Sequence, residues 1–103
     1  MAKGYWIAKV RVTDETAYKG YIAANGAALA KYGGRFLVRA GQFSCPEGNA
    51  APRNVVVEFQ DYQTALDCYR SPEYQAACRF RRDAAEFDFL IIEGYDGAQP
   101  GEG

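Results

Sequence analysis

The sequence contains no histidine among its 103 residues. Imidazole is the commonest proton shuttle near neutral pH and the commonest transition-metal ligand in proteins. Its absence excludes a histidine general base, a histidine-oriented nucleophile and most transition-metal sites. Any catalysis must therefore use carboxylates, tyrosines, lysine, a thiol or ordered water, and we expect neither a metal nor another cofactor.

Cysteine is also scarce. The three cysteines, Cys45, Cys68 and Cys78, are odd in number and lack the short paired spacing of a zinc site or a redox motif. We therefore expect free thiols in a reducing compartment. No apolar run near the N-terminus resembles a signal peptide, so the expected location is the cytoplasm.

Long apolar runs and excess charge are missing as well. No stretch approaches the roughly 20 apolar residues of a membrane span. The formal net charge is -1, which gives no electrostatic case for binding nucleic acid or an anionic membrane. With 49% hydrophobic and 24% charged residues, a chain of this length is expected to form one globular domain.

The N-terminal third predicts a strand followed by a helix. Apolar residues alternate with others over residues 5–12, which indicates a strand. Thr13 or Asp14 is expected to cap a helix. Its apolar face contains Asn25 at its centre and is otherwise formed by Tyr18, Tyr21, Ile22, Leu29 and Tyr32. A buried amide must be hydrogen-bonded, so Asn25 either bonds nearby backbone or faces a pocket, and the first reading is the simpler.

Residues 32–41 organise the rest of the chain: Gly33 and Gly34 are expected to end the helix, and a strand follows at once. Alternation in this second strand places Phe36, Val38 and Ala40 on one face and Leu37, Arg39 and Phe43 on the other. Residues 45–53 have the composition of a surface loop and 54–59 that of a third strand. If Ser44 faces Arg53 across this hairpin, antiparallel counting places Arg39 opposite Glu58.

The C-terminal third predicts two short helices and a last strand. Asp61 is expected to cap one helix, and Ser71 followed by Pro72 is a strong start for the next. That third helix carries Tyr74 on its inner face, with Arg81 in the middle of the same face, where it snorkels, pairs with an acid or binds an anionic ligand. Residues 87–95 are expected to form the last strand, which contains Glu93. We expect residues 96–103 to be a flexible tail after a single domain at 1–95.

The element order β-α-β-β-α-β predicts an α+β ferredoxin-like sandwich: a four-stranded antiparallel sheet with helices on one face. The predicted helix-covered face is Trp6, Val10, Phe36, Val38, Val55, Val57, Leu90 and Ile92. The predicted open face carries Ile7, Leu37, Val56, Phe89 and Ile91 among Lys9, Arg39, Glu58 and Glu93. Such an apolar face would be covered by a second copy, so we expect a face-to-face homodimer whose two sheets form a barrel.

Several segments together resemble one bacterial family, the domain of unknown function 1330, in the dimeric α+β barrel superfamily. The matching segments span nearly the whole chain: residues 4–7, Asn25, residues 32–39, residues 56–59, residues 71–75, and Glu93 with Gly94. One departure is Ala40-Gly41, where two glycines are expected. The resemblance implies the fold and the dimer and implies no established reaction.

Superfamily relatives include cofactor-free oxygenases, lactone isomerases, haem-degrading enzymes and ligand-sensing domains, an analogy at the level of fold. Haem degradation is the least compatible, because no histidine is available as an axial ligand.

Three interpretations remain. The chain is a small-molecule enzyme of isomerase or cofactor-independent oxygenase type, or a dimeric module that binds or senses a metabolite, or the paired charges are purely structural. For an enzyme, the candidate proton-transfer groups are Glu58 and Glu93, although an adjacent Arg39 would lower the pKa of Glu58 and weaken it as a base. The candidate ligand-binding residues, for a flat anionic or phenolic molecule, are Asn25, Arg39, Tyr74 and Arg81.

Overall fold

A computed structural model describes residues 2–101 and shows a single four-stranded antiparallel sheet in the order β2-β3-β1-β4. The elements along the chain are β1 (Gly4–Val12), α1 (Glu15–Tyr32), β2 (Arg35–Arg39), β3 (Arg53–Phe59), α2 (Tyr62–Arg70), α3 (Pro72–Cys78) and β4 (Ala85–Glu93). The predicted α+β ferredoxin-like arrangement is confirmed.

Helix ends follow the local sequence. Asp14 caps α1 by accepting a hydrogen bond from the backbone N–H of Ala17, and Asp61 and Ser71 cap α2 and α3 in the same way. Gly33 ends α1 with a left-handed φ of 70°. Gly34 is needed for another reason: a Cβ there would lie 2.8 Å from the Phe59 ring. Both glycines therefore serve the turn into β2.

The core lies between the helices and one face of the sheet, and it is centred on Trp6. This indole is 3% exposed and donates a hydrogen bond from Nε1 to the carbonyl oxygen of Ala65 in α2, at 2.9 Å. Its ring centroid lies 4.7 Å from that of Tyr74 and 4.9 Å from that of Phe59. Aromatic pairs at these distances add to the stabilisation from apolar burial.

β2 pairs with β3 in a register that differs from the predicted one, and the pairing contains a β-bulge. Phe36 is opposite Val57, but the register shifts between Phe36 and Val38, and Arg39 is opposite Val55. Glu58 therefore faces Arg35 and not Arg39, with Arg35 Nε 3.6 Å from Glu58 Oε1. The predicted pairing of Arg39 with Glu58 is wrong, because it assumed that Ser44 faces Arg53, and the strands pair in a different register in which Arg35 is opposite Glu58. The bulge has a separate effect: one extra residue in a strand reverses the face of every residue after it.

The same bulge turns Arg39 toward the helices. Val55 and Phe36 both pack against the core, and the Arg39 Cζ atom lies 4.2 Å from the centroid of the Phe36 ring. The prediction that Arg39 lies on the open, dimer-facing side of the sheet is therefore wrong. Val38, predicted for the helix-covered face, is 43% exposed.

The predicted faces of β4 are also reversed. Trp6 is opposite Ile91 and Ala8 is opposite Phe89, so Phe89 and Ile91 face the helices and pack against the core. Leu90 and Ile92 lie on the open face, 50% and 47% exposed. Residues 89–92 are all apolar, so the sequence does not show which of them alternate toward the core and which toward the open face.

The chain outside these elements is irregular. β2 ends at Arg39, so Phe43, predicted as part of that strand, lies in the loop between β2 and β3 and is 50% exposed. Beyond β4, the Tyr95 hydroxyl donates a hydrogen bond to the carbonyl oxygen of Ala98, at 2.5 Å. The predicted flexible tail at 96–103 lies partly outside the described residues and stays a prediction.

Within residues 2–101, no helix is both long and apolar enough to cross a membrane.

Candidate functional site

A small cavity lies between α1 and the helix-covered face of the sheet. Its volume is about 30 Å³, well below the roughly 300–1,000 Å³ typical of ligand pockets. Apolar and aromatic side chains form most of the wall, and Arg39 is the exposed residue of the lining. The lining is Trp6, Ala8, Val10, Tyr18, Tyr21, Ile22, Asn25, Leu29, Phe36, Arg39, Arg53, Val55, Val57, Phe87 and Phe89. The cavity therefore has its mouth at Arg39, and a larger ligand enters only if side chains there move.

Three guanidinium groups surround this cavity. Arg39 and Arg53 are part of its lining. Arg81 lies over two lining residues, with its Cζ atom 4.0 Å from the Phe87 ring centroid and 5.5 Å from that of Tyr21. Arg39 follows the bulge in β2, Arg53 begins β3, and Arg81 lies in the turns after α3. Three separate segments of the fold thus bring positive charge to one apolar space.

None of these arginines pairs with a carboxylate in the described part of the chain, where the ion pairs are Lys31 with Glu73 and Arg35 with Glu58. The Nε atoms of Arg53 and Arg81 are buried and have no hydrogen-bond partner among residues 2–101. Buried N–H donors normally have an acceptor, and a guanidinium favours planar anions that accept two hydrogen bonds. The arrangement is suited to binding an anionic group.

Two buried tyrosines link the cavity to the core. The hydroxyl oxygens of Tyr21 and Tyr74 lie 2.6 Å apart, and Tyr74 is completely buried. Burial raises the pKa of Tyr21 and of Tyr74 further above the neutral range, so both hydroxyl groups are protonated near neutral pH. Burial also raises the pKa of Tyr18, while the charges of Arg53, Arg81 and Arg39 oppose that rise. All three cations therefore act on the same part of the cavity, around Tyr18.

No described residue in the lining is Asp or Glu. Glu58, a candidate proton-transfer group, is on the open face, where its Oε2 accepts a hydrogen bond from the Tyr5 hydroxyl at 3.3 Å. Glu93, the other candidate, is exposed at the end of β4 opposite Gly4. The structure therefore does not bring either carboxylate together with the predicted ligand-binding residues.

The four predicted ligand-binding residues do lie in one region. Asn25 is 8% exposed, lines the cavity and lowers the pKa of Tyr21 by hydrogen bonding, a smaller effect than the rise from burial. Arg39 is at the mouth, Arg81 is at the side formed by Phe87, and Tyr74 lies behind Tyr21. Their placement agrees with a shared site, and their roles stay predictions.

Sequence reasoning missed three residues of this region: Tyr18, Tyr21 and Arg53. The spacing of the two tyrosines predicts core residues on the apolar face of α1 and gives no sign of a site. Arg53 was assigned to the loop, although it has the same parity in β3 as the inward-facing Val55 and Val57. The two-residue spacing from Val55 and Val57 is therefore the sequence feature that could have placed Arg53 on the helix-covered face.

A second, larger cavity of about 350 Å³ lies beside the loop between β2 and β3. Its walls include Lys9, Phe43, Cys45, Glu47 and Asn54. It is a wide surface depression, and its polar side chains carry both signs of charge. Across residues 2–101, no three His, Cys, Asp or Glu side chains are grouped closely enough to hold a metal ion.

Comparison with known proteins agrees with the fold. A protein of unknown function from Rhodopseudomonas palustris shares 18% identity and a TM-score of 0.71, with 93% of this chain and 85% of that chain covered. SnoaB, a cofactor-independent oxygenase from Streptomyces nogalater, shares 12% identity and a TM-score of 0.64, with 97% and 99% covered. At these identities the similarity establishes the fold alone.

A third structure is described as a dimeric ferredoxin-like protein of unknown function from Thermobifida fusca. It shares 15% identity and a TM-score of 0.60, with 89% of this chain and 91% of that chain covered. Among curated proteins, none matches this chain. The family model described as Domain of unknown function (DUF1330) matches residues 3–95.

Proposed function

Because this chain belongs to the family of domain of unknown function 1330, whose description names no reaction, we propose its function from the cavity: it binds a small, flat, anionic molecule between α1 and the sheet. One observation carries the proposal. Arg39 and Arg53 line an apolar aromatic cavity, Arg81 lies against its Phe87 wall, and the described lining contains no carboxylate.

The chemistry of the wall limits the ligand. Aromatic side chains such as Trp6 and Phe87 favour a flat ring by stacking and by apolar burial. The guanidinium groups favour a carboxylate, phenolate or enolate oxygen. Since the cavity is small, binding requires the exposed Arg39 side chain to leave the Phe36 ring, where its Cζ atom lies 4.2 Å from the centroid.

The test compares one anion with its neutral counterpart. We expect 4-nitrobenzoate to bind at least about tenfold more tightly than nitrobenzene in isothermal titration calorimetry, because charge-assisted hydrogen bonds to buried donors are strong. Arg53→Gln should weaken the binding of 4-nitrobenzoate by about tenfold or more. Arg82→Gln is the matched control, because Arg82 is exposed and outside the lining. Equal affinity for the two compounds, or equal loss in both variants, would contradict the proposal.

Catalysis of isomerase or cofactor-independent oxygenase type is the second candidate, supported by the fold shared with SnoaB. Glu58 and Glu93 are poor candidates for its base, because neither lines the cavity. If the cavity binds an oxidisable aromatic anion, an oxygen electrode distinguishes the two functions. An oxygenase consumes O₂ in proportion to enzyme, whereas a binding or sensing module leaves the consumption at the level of the ligand alone.

We also propose that a second copy covers the open face of the sheet. Leu37, Val38, Leu90 and Ile92 are between 43% and 50% exposed there, and relatives with this fold are described as dimeric. Native mass spectrometry of freshly purified protein should show a dimer. Leu90→Lys with Ile92→Lys should shift it to monomer while circular dichroism stays unchanged. A monomeric wild type would refute the dimer.

A further inference from the structure

We propose that the helix-side cavity ionises the acid it binds: a phenol, enol or similar weak acid is held as its conjugate base by Arg39, Arg53 and Arg81, and its proton is released to water. The inference rests on the proposed function, since it concerns the same cavity, and it adds the class of ligand and the way in which that ligand is activated.

Protein groups that could remove the proton are missing from the described lining. It contains no Asp or Glu, and the sequence has no histidine. The hydroxyl groups present belong to Tyr18 and Tyr21, and burial raises the pKa of both. These phenols stay protonated near neutral pH and are not bases. An acid bound here loses its proton to solvent or keeps it.

The electrostatic balance favours loss of the proton. Apolar walls alone would favour the neutral acid, because burial disfavours a charged form. Here Arg39 and Arg53 line the cavity and Arg81 lies over two lining rings, and none of the three is paired with a carboxylate among residues 2–101. An oxyanion would accept hydrogen bonds from the buried Nε–H groups of Arg53 and Arg81, which have no described acceptor. A neutral hydroxyl is a weaker acceptor, so differential binding shifts the ligand toward its anion.

The proton has a route out at the mouth. Arg39 is the exposed residue of the lining, so water reaches the cavity at this point. The step is heterolytic: the O–H bond of the ligand breaks, its electron pair stays on oxygen, and the proton passes to water. No oxidant or reductant takes part. The product is an electron-rich anion held against aromatic rings.

The probe is 4-nitrophenol, whose phenolate absorbs visible light and whose neutral form does not. With the protein in excess, the absorbance is followed as a function of pH. We expect the midpoint of the bound probe to lie at least about one pH unit below that of the free probe, which corresponds to at least about tenfold tighter binding of the phenolate. Arg39→Gln should reduce the shift, and Arg82→Gln should not. Arg39 is exposed, so its variant has little risk of misfolding.

Two probes separate the two proposals. If 4-nitrobenzoate binds while bound 4-nitrophenol keeps or raises its midpoint, or fails to bind, the ionisation is refuted and anion binding stands. If neither probe binds to the folded wild type, the proposed function itself fails. A lowered midpoint that is unchanged in Arg39→Gln, Arg53→Gln and Arg81→Gln would also refute the role of the arginines. A lowered midpoint that these variants reduce, and Arg82→Gln does not, supports the inference.

Discussion

The hydroxyl oxygens of Tyr21 and Tyr74 lie 2.6 Å apart in the core and join α1 to α3 directly behind the cavity. Tyr74 is completely buried and Tyr21 is 6% exposed, so water cannot replace either partner without opening the core. A hydrogen bond in this position couples the packing of the two helices to the shape of the cavity wall.

This pair predicts non-additive mutations. Tyr21→Phe leaves the Tyr74 hydroxyl buried without this partner, and should reduce the free energy of unfolding by about 1–3 kcal/mol. Tyr74→Phe should have a similar effect, because each hydroxyl keeps another polar neighbour: Asn25 for Tyr21 and Arg81 for Tyr74. The double variant should be more stable than the sum of the two effects predicts, by about 1 kcal/mol in urea unfolding. Strict additivity would show that the hydroxyls do not interact.

Backbone strain next to Arg39 gives a second prediction. Ala40 has a φ of 57°, a left-handed conformation that costs a residue with a Cβ about 1–2 kcal/mol. Ala40→Gly removes this strain but adds freedom to the unfolded chain, so we expect a net stabilisation of about 0.5–1 kcal/mol. The hydrogen bond from Ala40 N to Asn54 O, at 2.9 Å, is retained. Thermal melting measures the change.

Ala23→Gly is the matched control for that variant. Ala23 is exposed inside α1, where glycine has a lower helix propensity, and the same substitution should destabilise by about 1 kcal/mol. If both variants destabilise equally, the left-handed conformation at Ala40 is refuted.

The cap of α2 gives a dependence on pH. Hydrogen bonds from the Thr64 hydroxyl and backbone N–H, at 2.7 and 2.8 Å, lower the pKa of Asp61. A pKa lower in the folded than in the unfolded state means stabilisation above the unfolded value of about 3.9, lost as the pH falls through the folded value. Asp61→Asn keeps a capping oxygen but does not titrate.

Urea midpoints at pH 7 and at acidic pH measure this effect. We expect the wild type to lose more stability on acidification than Asp61→Asn. Thr64→Val removes the hydroxyl donor and should reduce the pH-dependent part without abolishing it. Parallel losses in all three proteins would show that Asp61 contributes nothing to acid sensitivity.

Features governed by local rules were predicted correctly from the sequence. Asp14, Asp61 and Ser71 cap their helices as expected, because a short polar side chain at the start of a helix accepts a hydrogen bond from a backbone N–H that has no partner within the helix. Gly33 ends α1 because it must adopt positive φ. The helix boundaries give the order of helices and strands, and that order predicts the four-stranded antiparallel sheet.

Features that depend on strand register were not predicted. The bulge between Phe36 and Val38 has no marker in the residues around it, and the shift moved Arg39 to the opposite face. The bulge explains why Arg39 lies on the cavity side, whereas its predicted pairing with Glu58 follows from placing Ser44 opposite Arg53, a register that the strands do not adopt. Ala40, with its positive φ, follows directly after Arg39, where the related family has led us to expect glycine.

The buried arginine Nε–H groups allow the most direct test of anion binding. In ¹H–¹⁵N spectra, the Nε–H resonances of Arg53 and Arg81 are assigned through Arg53→Gln and Arg81→Gln and followed during titration with 4-nitrobenzoate. We predict that both resonances shift with one common dissociation constant, while that of Arg82 does not move. The account is contradicted if these two signals stay fixed while backbone signals of residues 43–50, beside the second cavity, respond.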